Sequence, residues 1–163
     1  MLLRYNLSKT EQGVYQFTTD SGSDYTAFFT SYQLQDQENN IHTVYSFGFD
    51  RSGKFNNGKF QHEYDEKIKN TIIYIIKDFF LKNDNKALLY FCYSGDENSR
   101  QRSILFSKWC RDEASSDIDH LRKTTVINDE VLYGGILLLK SNPLRELLVN
   151  AISNFIEEIV NLK

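Results

Sequence analysis

Two stretches of this sequence carry side chains that could hold an anionic or activated ligand. The first is 51–59, where Arg51, Lys54 and Lys59 stand among Gly53 and Gly58. Glycine lets backbone N–H groups approach a phosphate closely, and basic side chains add charge. Its candidate ligand-binding residues are Arg51, Gly53, Gly58 and Lys59. The second stretch is 94–102, a polar run with Ser94, Asn98, Arg100 and Arg102 directly after the apolar segment 87–93. Loops at the ends of buried strands are where sheet proteins build sites, and two arginines near a helix start suit an anion. The same run also reads as ordinary structure, with Asp96 and Glu97 serving a helix start and Arg102 pairing with a carboxylate.

No residue stands out as catalytic. There is no Gly-x-Ser-x-Gly elbow and no P-loop. His42, His62 and His120 are scattered, without helical spacing. Cys92 and Cys110 each lie in an apolar run beside Phe91 and Trp109, and read as reduced core thiols. With no histidines at ligand spacing, the expectation is no metal site.

The elements that must position these residues follow from periodicity. Alternation over 14–19, 25–34 and 44–50 predicts three strands, with Tyr45, Phe47 and Phe49 on one face of the third. Turns are expected at 20–24 and 35–40, and a polar connection at 51–62. Apolar positions at Ile68, Ile72, Ile75, Ile76, Phe79 and Phe80 predict a helix over 63–83. The unbroken apolar run 87–93 predicts a central strand covered on both faces. A helix over 97–115 follows, then a hairpin of 123–127 and 130–140 around Asn128-Asp129. Gly134-Gly135 in its second strand signals a bulge or a close approach, with a packed helix as the expected neighbour. Asn142 and Pro143 start a last helix, Pro143 at the first helical position. The expected fold is one α+β domain over 1–163, with a mixed, mostly antiparallel sheet of about six strands in the order β-β-β-α-β-α-β-β-α.

Charge and hydropathy narrow the partners. The 19 Lys+Arg stand against 22 Asp+Glu, a net charge of -3, so no basic face is expected for nucleic acid. No segment reads as a secretory signal or a membrane span, so the expectation is a cytoplasmic protein with no membrane partner. The last helix carries a stripe of Leu144, Leu148, Ala151, Phe155, Ile159 and Leu162, widened by Leu147, Ile152, Ile156 and Val160. That width suits a protein partner or a homodimer through this helix.

The element order, with the run Leu89-Tyr90-Phe91-Cys92-Tyr93, then Asn98, then Ile104-Leu105-Phe106, resembles the core of the GNAT family of N-acetyltransferases, without its two leading helices. The resemblance implies an acetyl-CoA pyrophosphate held on a glycine-rich loop at the helix after the third strand, which is here 51–59. It also implies a proton-donating tyrosine on the next helix. The chain departs from both patterns. Gly53 and Gly58 are widely spaced, and Glu63, Asp65 and Glu66 stand at the helix start, where like-charge repulsion costs on the order of several kcal/mol. Leu105 and Phe106 occupy the tyrosine's place and donate no proton. Phe17-Thr18-Thr19-Asp20, 71–76, Phe79-Phe80, Arg102 with Phe106 and Trp109, and Asn142-Pro143 resemble an uncharacterised family of Bacteroidetes-type bacteria. The expected function is a non-catalytic, acetyltransferase-like interaction module without a cofactor. The alternative is an acyl-CoA-dependent N-acyltransferase with an atypical loop and acetyl-CoA as its cofactor.

Overall fold

A computed structural model describes residues 3–53, 66–93, 99–114 and 116–161. In chain order these form β1 (Ser8–Lys9), β2 (Tyr15–Thr18), β3 (Ser23–Gln35), β4 (Ile41–Gly53), α1 (Glu66–Lys82), β5 (Leu88–Tyr93), α2 (Ser99–Ala114), β6 (Ile118–Ile127), β7 (Glu130–Leu139) and α3 (Arg145–Asn161). The strands make one mixed sheet in the order β1-β2-β3-β4-β5-β7-β6. Every neighbouring pair is antiparallel except β4–β5. The expected order of elements holds, but the sheet has seven strands rather than about six. The added strand, β1, is two residues long, too short for any alternation to show.

The sheet divides its side chains between two cores, as a period of two requires. One face carries Tyr15, Phe17, Tyr25, Phe47, Leu88, Tyr90, Leu137 and Ile118 against α1 and α2. The other carries Leu34, Val44, Leu89, Ile136 and Leu138 against α3. β5 contributes to both cores and has a strand on each side, which is why 87–93 shows no alternation. On α1 the spacing of Ile68, Ile72, Ile75, Ile76, Phe79 and Phe80 puts all six on the buried stripe. Burying a side chain of this size contributes about 1.5–3 kcal/mol. The N-terminal segment lies across the same helix, with Tyr5 N–H donating to Thr71 Oγ1 at 2.9 Å and Asn70 Nδ2 donating to the Leu3 carbonyl at 2.8 Å.

Turn chemistry fixes the registers. In the β3–β4 loop, Asp36 Oδ1 accepts the N–H groups of Glu38 and Asn40 at 2.7 and 3.0 Å, while Oδ2 lies 2.5 Å from His42 Nε2. Burial alone would raise the Asp36 pKa; these hydrogen bonds outweigh it and hold the carboxyl below its ordinary value. Between β6 and β7, Asn128 and Asp129 both take positive φ, 51 and 66°, as a two-residue hairpin turn demands. That register runs back from Ile127 opposite Glu130 to Ile118 opposite Leu139, so β6 begins five residues before the expected 123. α3 begins at Arg145 rather than Pro143; Asn142 Oδ1 accepts Leu144 N–H at 2.8 Å and caps the tight turn ahead of the helix. Leu148, Ala151 and Ile152 are its buried residues, and the broad apolar stripe beyond them is half-buried at Phe155, Ile156, Ile159 and Val160. Among the described residues no helix is long and apolar enough to cross a membrane.

Two strand glycines separate by what a side chain would strike. A Cβ on Gly48 would lie 2.7 Å from the rim of the Phe28 ring, which is half-buried and can swing. A Cβ on Gly134 would lie 2.5 Å from the Tyr90 carbonyl oxygen, which moves only if β5 moves. Overpacking costs about 1–3 kcal/mol where the surroundings cannot yield. Gly134→Ala should therefore cost more than Gly48→Ala in urea unfolding. Equal losses, or the reverse order, would show that the β5–β7 contact is not tight.

Candidate functional site

β4 and β5 start side by side. Tyr45 lies opposite Leu88 and Ser46 opposite Leu89, and Tyr45 N–H donates to the Ala87 carbonyl at 3.1 Å. The ladder ends there, although β4 continues to Gly53 and β5 to Tyr93. The two strands part toward their C-terminal ends. Among the described residues, the β4–β5 pairing does not continue past Ser46 and Leu89. Parallel strands that separate this way open a crevice at their carboxyl ends, where sheet folds bind ligands.

Aromatic rings close the apex on one face. Phe47 and Tyr90 are the first residues beyond the ladder, and Phe106 comes down from α2 between them. The Phe106 ring lies 6.2 Å from Phe47 and 4.6 Å from Tyr90, and all three are buried. α1 and α2 both begin at the open end, because each runs antiparallel to the strand before it. That end receives several of the residues singled out from the sequence. Arg51 and Gly53 lie there, but in β4, opposite Tyr25 and Ser23, rather than in the expected polar connection; the strand continues because β3 keeps offering it a partner. Arg100 and Arg102 fall in the first turn of α2, which holds no acidic residue. Gly58, Lys59, Ser94 and Asn98 lie outside the described residues, as do Glu63 and Asp65. Glu66, in the first turn of α1, is exposed and sits 3.9 Å from Lys69 Nζ.

Behind the apex is a titratable pair. Tyr90 Oη and His120 Nε2 are 2.5 Å apart, reaching across β7 from β5 to β6. Gly135 makes the passage: a Cβ there would lie 2.7 Å from Tyr90 Oη and 2.8 Å from His120 Nε2. The close approach marked by Gly134-Gly135 is thus made by a neighbouring strand's tyrosine and a histidine, not by a packed helix, and the β5–β7 and β6–β7 registers run through without a bulge. Burial, with the Arg122 charge second, lowers the His120 pKa to about 4, so the imidazole is neutral at pH 7. A neutral ring carries one proton, so the bond is either Tyr90 O–H to Nε2 or Nε2–H to the Tyr90 oxygen. Leu105 and Phe106 face the core and supply no proton. Cys110 is buried, and that burial pushes its thiol up to about 12, far from a nucleophile's range.

In the sequence Tyr90 stands within an apolar run and His120 among scattered histidines, 30 residues away. The signal joining them was countable: extending the Asn128-Asp129 hairpin backward sets Arg122 opposite Gly135 and His120 opposite Leu137.

The lowered pKa has a signed consequence. The folded state binds a proton at His120 less readily than the unfolded chain, so this residue's stabilisation is complete above about pH 6.5 and is lost as pH falls toward about 4. The His120 ring should titrate by NMR near pH 4, and stability should fall more steeply over this window than in His120→Gln. A midpoint near 6.5 would contradict the buried pair.

No curated protein and no solved structure matches the chain. Residues 64–158, from just before α1 to near the end of α3, match a family of unknown function, DUF6169. The protein belongs to that family.

Proposed function

We propose that this domain binds an acyl-CoA in the crevice between β4 and β5, as a ligand-binding relative of the acetyltransferase fold. The observation that carries the reading is the two-residue β4–β5 ladder, followed by strands that run on apart. A pantetheine arm carries amide groups along an extended chain and can pair with strand edges as a peptide does. It would run on between the strands where the β4–β5 ladder stops. The charged end of the ligand would lie toward the C-terminal end of β4, with Arg51 and Gly53, and the α2 start, with Arg100 and Arg102. The acid-free first turn of α2 suits that role, since helix starts favour anions. Binding without transfer is favoured because Phe106 fills the place of a proton donor and the Tyr90 hydroxyl is committed to His120.

An extended peptide is the second reading, favoured by the same unpaired strand edges. It would make the domain an interaction module without a cofactor.

Titration with acetyl-CoA separates the two. At one hundred times its Kd a ligand adds about 2.7 kcal/mol of stability. We expect a saturable rise in Tm, with amide shifts concentrated in 47–53 and 90–93 and no transfer to added amines. A flat response up to millimolar acetyl-CoA would overturn the proposal and leave the peptide reading.

A further inference from the structure

We infer that the hollow between α2 and the edge strand β6 is a second site, built to hold the phosphate group of a small molecule. The hollow is about 320 Å³, at the low end of the range for small-molecule sites, about 300–1,000 Å³. It stands apart from the β4–β5 crevice and does not depend on what that crevice binds.

Two elements, α2 and β6, and one residue just past β7 supply its walls. On α2, Ser107, Cys110 and Arg111 follow i, i+3, i+4 spacing and so share one face. On β6, Ile118, His120 and Arg122 alternate onto the face toward α2. Lys140 closes the end just past β7, held by its backbone N–H to the Asp117 carbonyl at 2.9 Å. Asp119 reaches the rim from the opposite face of β6, where its carboxylate is ion-paired with Arg145 at the start of α3.

The charge is one-sided. Among the described residues, Arg122 and Lys140 have no carboxylate within ion-pair distance, and Arg111 has only Asp112, 3.6 Å from its Nε on exposed surface. Asp119, the one acid lining the hollow, is neutralised by Arg145. Three cations around one concave surface raise the local concentration of anions.

A buried hydroxyl points independently to a ligand. Ser107 lines the hollow and is 9 % exposed, and its Oγ has no hydrogen-bond partner among the described residues. An unsatisfied buried hydroxyl is costly, and a ligand in the hollow would offer it an acceptor. His120 lines the same hollow, its Nε2 engaged with Tyr90. Two guanidinium groups, an ammonium and a hydroxyl, from α2, β6 and the end of β7, can serve a tetrahedral oxyanion from several sides. A planar carboxylate would leave some of them unused. The volume exceeds what a bare phosphate fills, which leaves room for the body of a phosphate ester.

NMR titration of the whole chain at constant ionic strength tests this with four probes: inorganic phosphate, glycerol phosphate, acetate and chloride. Phosphate should give saturable shifts at the Ser107, His120 and Arg122 amides, and should raise the His120 pKa, since a bound anion favours the imidazolium. Arg122→Gln and Ser107→Ala should each weaken binding about tenfold, the loss expected for a hydrogen bond to a charged group. Tighter binding of glycerol phosphate would identify an ester as the ligand; equal binding would identify free phosphate. Shifts that do not saturate, that chloride reproduces, or that survive both substitutions unchanged would overturn the inference.

Discussion

Backbone N–H and C=O groups must find partners wherever they leave water, and the parallel pair β4–β5 is where this sheet ceases to provide them. Every other neighbouring pair is antiparallel, and those pairs are joined through short turns or run in register over much of their length. β4 and β5 share only Tyr45–Leu88 and Ser46–Leu89. From that one break follow the crevice, the aromatic apex of Phe47, Tyr90 and Phe106, and the gathering of two helix starts at one end.

A tyrosine just beyond the break links it to the opposite edge of the sheet. Tyr90 lies over Gly135 and meets His120 on β6, the last strand. The glycine is needed because any side chain there would occupy the space of the hydroxyl and imidazole. The same histidine lines the hollow under α2. A single hydrogen bond, from Tyr90 at the crevice apex to His120 in the hollow, joins the two regions.

Alternation made β2, β3 and much of β4 readable from the sequence, because one face of each is buried beneath α1. The apolar stripe of α1 was readable because one face is buried, and the unbroken run of β5 because both faces are. Polar strand ends were not. Arg51 and Ser52 stay in β4 because β3 pairs with them, and Asp119, His120 and Arg122 stay in β6 through the β7 register. Partners far along the chain decided those residues, and local propensity could not. The stretch 51–59 reads locally as a polar connection, yet Arg51 and Gly53 belong to β4, opposite Tyr25 and Ser23. The hollow was invisible because Ser107, Arg122 and Lys140 belong to three separate segments with no shared motif.

Backbone NOEs between β4 and β5 test the parting of these strands most directly. The account predicts cross-strand NOEs at Tyr45–Leu88 and Ser46–Leu89, and none from Phe47–Tyr90 onward. A continuous series reaching Phe49–Cys92 would close the crevice and contradict the account.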